Sequence, residues 1–561
     1  MAERGHAQVA EETLTGPVDR DLLGAPDLFI QASPGDLDAR STYAGLYVQD
    51  SYKVRPNFTV NYGLRWEFSR PWSDKYGRLQ TFLPGLQSKL YPNSPEGWVF
   101  PGDPGIPSTL GPTRYKNFNP RLGFAYSPGF SAGVLGKLFG GPGKTSIRAA
   151  GGIYTTAFEQ IQNNFELGNP PFAQYWQSPT FVYLEEPFKG RNAPDPGQRF
   201  PFVRPPVGEL TNWAIFQPVQ SVPGFVTDNK LPYAGHFNFT IQRDVEHVAI
   251  FTIGYVGTVG HHLLSQTESN PGNPQLCLQT PGCGPFGENT IYHLDNGQTV
   301  YGTRPYGVTS GRYLSQGILD FGEVQWMQTW ANSNYNSLQI SANRAIGALH
   351  LLAAYTWSKS IDDSSGFGDV DINPYNHRLS RSLSAFHMPQ NFVVSYSYDL
   401  PFAKWFGKHR LSDGWQFSGI TRFSSGLPIL LGDSSDPSLC GCSGADVPNF
   451  NGQPIHFYNP RGSSNFAYFS TSNFSPAQLG ILGTANQRFF VGPGLNNTDL
   501  ALHKFTRVTE RFGVEFRAEF FNVFNHAQFL NPGGDINGSN FGLVTAARDP
   551  RIGQLALKLQ F

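Results

Sequence analysis

NFTVNYGLRWEF, residues 57–68, is the stretch that decides the fold. Its even positions are all apolar: Phe58, Val60, Tyr62, Leu64, Trp66 and Phe68. Its odd positions hold polar residues and one glycine: Asn57, Thr59, Asn61, Gly63, Arg65 and Glu67. Such alternation is typical of a β-strand with one apolar and one polar face. Strands of soluble domains usually have about 5–6 residues, whereas a strand that crosses a bilayer needs about 9–11. The stretch therefore predicts a membrane-spanning strand of a β-barrel.

The composition favours an all-β protein. The 561 residues include 62 Gly, 44 Pro and 14% aromatic residues but only 3 Met, which is typical of many strands joined by long irregular connections. The sequence has no run of about 18 apolar residues, so it predicts no transmembrane helix. The 41 Lys and Arg balance the 42 Asp and Glu, and we therefore expect no nucleic-acid partner.

Twelve further segments repeat the alternation and are predicted strands: residues 42–54, 118–127, 145–154, 236–244, 248–257, 334–344, 349–358, 391–400, 414–424, 498–506, 511–524 and 551–561. The connections between successive strands are alternately short and long. This is typical of an antiparallel up-and-down transmembrane β-barrel, whose short turns lie in the periplasm and whose long loops lie outside. We therefore expect Phe561, the last residue, at the periplasmic rim.

The predicted strands number thirteen, whereas a complete bacterial barrel has an even number. The sequence therefore predicts a partial barrel whose chain begins partway round a larger one. Residues 1–40 have no sustained periodicity and are predicted to be loop. They lack the basic and apolar regions of a secretory signal. Because open strand edges in hydrocarbon leave costly unpaired backbone groups, we expect a truncated or split-gene product.

Five segments, in order along the chain, resemble the barrel of TonB-dependent outer-membrane transporters of the Oar-like group common in acidobacteria. They are YAGLYVQDSYKVRPNFTVNYGLRWEF (43–68), FNFTIQRD with IGYVGTVGHHL (237–263), NYNSLQIS with YTWSKSIDDSSG (334–366), EFFNVFNHAQF (519–529) and RIGQLALKLQF (551–561). The resemblance covers residues 41–561.

This resemblance implies that residues 41–561 are the C-terminal part of a roughly 22-stranded barrel. In that family a signal peptide, a small carboxypeptidase-regulatory-like β-sandwich and a plug precede the barrel. The plug contacts TonB, which delivers inner-membrane energy to release the ligand. The sequence shows no signal peptide, sandwich, plug or TonB-contacting box, so TonB is expected to act only through a plug missing from this chain.

Two groups of residues in the predicted loops are candidate ligands or cross-links. The cysteines fall in two local pairs, Cys277/Cys283 and Cys440/Cys442, and both reduced thiols and loop-closing disulfides remain open. Zinc-finger spacing is absent. The acidic loop 361–373 offers four carboxylates, although its spacing differs from an EF-hand: Asp362, Asp363, Asp369 and Asp371. It is interpreted as either a Ca²⁺ site or a solvated outer loop.

Two further groups lie on predicted strands or at their ends. His261 and His262 are adjacent, so on extended backbone they would point to opposite faces and would not share a metal. Glu515, Arg517 and Glu519 share the polar face of one strand, where they would line a permeation path or simply balance charge. No catalytic constellation can be assembled. We therefore predict no enzyme activity, no catalytic residue, no cofactor site and no metal site.

The resemblance favours an outer-membrane receptor or transporter that takes up a bulky nutrient. A passive porin-like channel and a surface adhesion or structural barrel are the alternatives. The expected partners are outer-membrane lipid, an unknown extracellular ligand, and the barrel assembly machinery through the strand that ends at Phe561.

Overall fold

The computed structural model describes residues 6–9, 29–33, 38–109, 111–157, 169–177, 184–185, 200–208, 210–219, 222–366, 368–442, 444–463 and 465–561. All thirteen predicted strands are present and lie side by side in one antiparallel sheet that follows chain order. They are β1 Ala39–Arg55, β2 Phe58–Asp74, β3 Asn117–Tyr126, β4 Thr145–Thr155, β5 Tyr233–Val245, β6 Ala249–Glu268, β7 Val324–Ile346, β8 Leu349–Asp362, β9 Gln390–Asp399, β10 Trp415–Ser424, β11 Leu495–Arg507, β12 Gly513–Phe521 and β13 Ile552–Gln560. The predicted up-and-down fold is confirmed.

One face of this sheet is apolar across nine strands. A row of side chains in register contains one residue from each strand, from β2 to β10: Phe58, Tyr126, Ile147, Ile241, Ile253, Ile340, Tyr355, Phe392 and Phe423. The next row, on the opposite face, is polar or small: Thr59, Ala125, Arg148, Thr240, Gly254, Gln339, Thr356, Asn391 and Ser424. Ile253 is 46% exposed and Tyr62 is 50% exposed, so no second sheet formed by the described residues covers the apolar face. An exposed apolar face of this kind is the outer, lipid-facing surface of a transmembrane barrel wall.

The wall is open. Among the described residues, β1 pairs only with β2 and β13 pairs only with β12. Leu555 and Leu557 of β13 are 72% and 67% exposed. The thirteen strands of the described residues thus form a sheet with two unpaired edges.

Several strands continue beyond their predicted ends, β6 and β7 by the most. The sequence pattern predicts an end at residue 257 for β6 and a start at residue 334 for β7, but these strands have 20 and 23 residues. In the extensions, polar residues such as Gln266 and Glu268 are buried beneath the outer loops. Alternation of apolar and polar residues therefore stops where the wall leaves the lipid, although the hydrogen-bonded ladder continues.

Among the described residues, connections at one end of the wall, called the short-turn rim, contain two helices, α1 Gly133–Phe139 and α3 Phe402–Phe406. The described part of the opposite end, the long-loop rim, carries α2 Pro274–Gln279 and five short 3-10 helices: Trp213–Ile215, Leu314–Gln316, His377–Ser380, Pro460–Gly462 and Thr471–Asn473. Within the described ranges, no helix is both long enough and apolar enough to cross a membrane.

Small strands lie within the long loops. Three antiparallel pairs are Thr81–Phe82 with Trp98–Val99, Ile291–His293 with Thr299–Tyr301, and Asn449–Phe450 with Phe474–Ser475. Ser382–Leu383 pairs with β8, and Val222–Phe225 runs parallel to β7. We call the described parts of the long connections the outer loop layer: residues 75–116, 169–232, 269–323, 363–389, 425–494 and 522–551.

The hydrophobic core of the protein lies in this outer loop layer. The main cluster joins residues from three long loops: Phe82, Tyr91, Trp98, Phe100, Phe202, Trp213, Phe216, Val219, Phe321 and Val324. A second cluster lies mostly within loop 425–497: Ile429, Leu431, Phe469, Phe474, Ala485 and Phe490. These segments show no strand or helix period in the sequence, yet they bury their large apolar side chains in shared clusters.

The N-terminal region also differs from the predicted loop. His6–Val9 and Phe29–Ala32 are strands that form a small sheet with Tyr175–Gln177. Phe29 and Trp176 are buried in this sheet. The sequence did not reveal these strands because each is only three or four residues long.

Candidate functional site

The polar inner face of β1, β2 and β3 is organised around Glu67, whose side chain is largely buried. Its Oε2 accepts hydrogen bonds from Tyr43 Oη at 2.5 Å and from Arg65 Nε at 2.6 Å. Its Oε1 accepts from Asn119 Nδ2 at 2.8 Å and from Thr155 Oγ1 at 2.5 Å. The carboxylate therefore holds four strands of the wall in register through charge-assisted hydrogen bonds.

Glu67→Gln is expected to destabilise the wall by about 1–3 kcal/mol, because Arg65 loses its counter-ion and at least one donor loses its acceptor. The free energy of unfolding, measured by urea titration in lipid vesicles, tests this expectation. Glu519→Gln is the matched control, because Glu519 is only half-buried and accepts a side-chain hydrogen bond from Gln554. Equal losses in the two variants would contradict the role of Glu67.

Among the concavities along the described wall are two with polar lining residues. One of ≈ 500 Å³ is lined mainly from β1 to β5, with Gln49, Asn61 and Asn238 among its polar residues. On its floor the Arg121 guanidinium lies 4.4 Å from the centre of the Tyr154 ring, which packs edge-on against His236. The other concavity, of ≈ 440 Å³, is lined from β7 to β12 by residues that include His350, Asp499 and His503. Both offer hydrogen-bonding groups beside aromatic or aliphatic surface, a combination suited to bulky polar solutes.

The three charged residues predicted on the polar face of β12 lie there. Arg517 Nε donates to Glu515 Oε1 at 2.6 Å, and His503 Nδ1 is 3.9 Å from the same oxygen. Glu519 faces Gln554 across the β12–β13 ladder. Complementary charge is therefore balanced within the wall, and Glu519 also lines the second concavity.

Buried Arg304 links two separate long loops of the outer loop layer. Its Nη1 donates to Asn270 O at 2.6 Å, and its Nη2 donates to Gly441 O at 2.8 Å. Gly441 has φ 56°, and a Cβ there would lie 2.5 Å from both Arg304 Nη2 and Glu288 Oε2. Only glycine suits this backbone conformation and this close approach. The bond between Cys440 and Cys442 closes the turn around it.

Several carboxyl groups lie close to one another in the same region. Burial and the neighbouring Asp436 raise the pKa of Glu288. Burial, helped by Asp436 and Asp433, raises the pKa of Asp446 to about 7. Ser438 Oγ donates to Asp446 Oδ2 at 3.1 Å. Within the described part of the chain, Asp446 Oδ1 has no hydrogen-bond partner.

The stability of the outer loop layer is expected to fall as the pH rises from about 4 to 7. A raised folded-state pKa means that the folded chain binds more protons than the unfolded chain in this window, so the stabilisation is complete below 3.8 and is lost above about 7. One such group contributes a slope of at most about 1.4 kcal/mol per pH unit. Asp446→Asn should flatten the pH dependence of protease resistance in the loops. An unchanged slope in this variant would contradict the assignment.

The carboxylates of the acidic loop 361–373 bind other residues of the protein. Asp363 pairs with Arg381 at 2.9 Å, and Asp369 pairs with Arg488 at 3.3 Å. Asp362 accepts from Ser365 Oγ, while fully buried Asp371 is bonded to Ser380 and His377. The interpretation as a solvated loop is wrong for Asp362 and Asp371, which are 1% and 0% exposed. No group of three His, Cys, Asp or Glu residues suited to a metal occurs among the residues with described positions.

The remaining candidates, the two adjacent histidines and the cysteines, also lie in positions that serve the structure of the protein. His261 Nδ1 is 2.9 Å from Asn332 Oδ1, and His262 adopts a positive φ of 56° where β6 leaves its regular ladder. Both cysteine pairs are disulfides, Cys277–Cys283 and Cys440–Cys442.

Glu67, Arg304 and the buried carboxyl group of Asp446 were not among the site residues predicted from the sequence. The spacing of Arg65 and Glu67 at i, i+2 on the polar face was a usable signal for an inner-face ion pair. Arg304 and Asp446 gave no such signal, because their partners lie in other loops.

A lipid-facing apolar surface, a polar inner face and alternating short and long connections define an outer-membrane β-barrel protein. The family model described as the outer membrane beta barrel domain matches residues 3–554, and the chain belongs to this family. It is located in the outer membrane.

Solved structures with a similar fold include three bacterial outer-membrane proteins. The ferric enterobactin receptor PfeA of Pseudomonas aeruginosa, in its G324V form, is 8% identical with a TM-score of 0.42, covering 95% of this chain and 58% of that one. The siderophore receptor PirA of Acinetobacter baumannii is 9% identical, with a TM-score of 0.41 and coverages of 95% and 52%. The ferric citrate transporter FecA is 10% identical, with a TM-score of 0.39 and coverages of 95% and 50%. The chain thus spans about half the length of these proteins. No curated protein matches it.

Proposed function

We propose that the chain is the C-terminal part of the barrel of an outer-membrane receptor that takes up a bulky nutrient in a TonB-dependent manner. The observation that carries this proposal is the outer loop layer, which packs around its own aromatic core above a wall with a polar inner face. A rigid surface of this kind binds a ligand with little loss of loop entropy. The Oar-like resemblance of residues 41–561 supports the same function.

The exposed surface of the outer loop layer favours a bulky organic ligand over a bare ion. Tyr375 and Phe286 are 79% and 66% exposed on it, and such rings stack on sugars and other large organic groups. On the inner face of the wall, polar and aromatic groups are offered by Arg121, Tyr154 and His236.

Uptake of labelled oligosaccharides and peptides by cells that carry or lack the intact gene tests this function. We expect uptake to require both the gene and TonB. Uptake that persists without TonB, together with conductance of the purified protein in planar bilayers, would instead support the passive channel. If deletion of loop 425–497 abolished cell attachment and left uptake unchanged, the adhesion function would be supported.

The open edges of the wall, β1 and β13, support the proposal that further strands complete the ring. The reading frame upstream of the gene is expected to encode a signal peptide, a sandwich, a plug and these strands. An unrelated gene at that position would contradict the proposal. For assembly, β13 and the exposed Phe561 would present the C-terminal strand to the barrel assembly machinery.

A further inference from the structure

Both helices of the short-turn rim pack against the outer, lipid-facing side of the wall. α1 lies in the connection between β3 and β4, and α3 lies in the connection between β9 and β10. Neither helix contains a buried residue.

α1 is held by a cross-strand pair of the outer face. Arg243 and Thr145 are partners in the β4–β5 ladder, two residues along from the apolar pair Ile241 and Ile147. Arg243 Nη1 donates to Thr145 Oγ1 at 3.1 Å, and Nη2 donates to Lys137 O at 3.4 Å. Thr145 Oγ1 donates to Phe139 O at 2.7 Å. Arg243 and Thr145 of the wall thus each satisfy one carbonyl group near the C-terminal end of the helix.

The segment that contains α3 is held in the same way. Trp415 and Lys504 are partners in the β10–β11 ladder, and the Trp415 ring packs against Phe402 with centroids 6.1 Å apart. Trp415 Nε1 donates to Leu411 O at 2.7 Å. Lys504 Nζ donates to Arg410 O at 2.8 Å. This segment therefore covers the outer face at the rim.

Both segments expose large apolar side chains. They include Val134 at 82%, Leu138 at 64%, Trp405 at 66%, Phe406 at 69% and Leu411 at 79% exposure. Lys404, Lys408 and Arg410 flank the second group, against the single acid Asp413. Aromatic and aliphatic side chains beside several cations are typical of segments that lie in a membrane interface and prefer anionic lipid.

We propose that α1 and α3 are interfacial anchors that insert into the headgroup region of the periplasmic leaflet, and that the α3 segment binds anionic phospholipid. Two observations commit the surface to lipid. It is continuous with the lipid-facing wall through Thr145 and Trp415. The cations Lys404, Lys408 and Arg410 of the α3 segment complement anionic headgroups. The short-turn rim lies at the periplasmic side, as short turns of outer-membrane barrels do. This proposal rests on the outer-membrane location of the protein and not on the proposed transport function.

Trp405 provides the test. The full chain is folded into vesicles of phosphatidylglycerol and phosphatidylcholine with brominated acyl chains, and the fluorescence of Trp405→Phe is subtracted from that of the unchanged protein. We expect the Trp405 difference signal to fall about twofold with brominated lipid and to resist aqueous acrylamide. Trp357→Phe is the matched control, because Trp357 is 59% exposed on the outer face of β8 and should be quenched in any inserted protein.

A Trp405 signal that acrylamide quenches and brominated lipid does not, while the Trp357 signal behaves as expected, would overturn the proposal. The surface would then be free for a periplasmic protein or a second copy of the chain. In a second measurement, the double change Lys404→Glu and Lys408→Glu should reduce bromine quenching of Trp405 in vesicles rich in phosphatidylglycerol and not in pure phosphatidylcholine. An equal reduction in both lipids would contradict the anionic preference.

Discussion

Ile253→Arg is expected to destabilise the wall by about 2–4 kcal/mol, because it places a cation on the lipid-facing surface, near the middle of the alternating segment 248–257 of β6. Ile253 lies in the apolar row between Ile241 and Ile340. An arginine at position 253 would therefore find no carboxylate in either of its cross-strand partners. The free energy of unfolding in phospholipid vesicles measures the effect.

Thr252→Arg is the matched control, one residue away on the same strand. Thr252 faces Gln242 and Ser341 on the polar inner face, where an arginine can remain hydrated, so we expect a loss below about 1 kcal/mol. Equal losses at the two positions, or a larger loss at Thr252, would contradict the assignment of the faces.

Phe321→Ala is expected to cost about 3–5 kcal/mol, the largest effect on the outer loop layer, because it removes a fully buried ring from the main core cluster. The Phe321 ring contacts Phe82 at 4.9 Å and Trp98 at 6.2 Å between centroids, so its loss separates loops that are distant in sequence. Limited proteolysis should then cut the long loops, while the wall keeps its resistance to unfolding by detergent.

Phe286→Ala is the control for this second prediction, since Phe286 is 66% exposed on the same layer. It should leave the protease pattern unchanged. A wall that unfolds together with the loops in Phe321→Ala would show that the layer and the wall form one cooperative unit, contrary to our expectation.

The sequence predicts the wall well because lipid acts on each strand separately. A side chain such as Ile253 must be apolar whatever its neighbours are, and this requirement appears directly as a period of two. The boundaries of β6 and β7 were predicted poorly because their extensions are covered by loops. There, burial of residues such as Glu268 depends on tertiary partners and not on position along the strand.

The outer loop layer could not be predicted in this way. Phe82 and Phe321 are far apart in the sequence, and no local pattern indicates that their rings meet. The acidic loop 361–373 shows the same difficulty. In the sequence its aspartates form a candidate ligand set. In the structure Asp369 pairs with Arg488, which lies in a different loop. Glu67 is the exception, because its spacing from Arg65 already places both side chains on the inner face.

The identity of the surface that contacts lipid is the central claim, and photolabelling with a carbene-generating lipid tests it most directly. In vesicles, labels located by mass spectrometry should fall on the outer-face residues Leu122, Phe124, Phe239 and Ile253. Their neighbours on the inner face, Arg121, Asn238 and Thr252, should remain unlabelled. Labels distributed equally over both sets, or found only on the inner set, would contradict a membrane-spanning wall with this orientation.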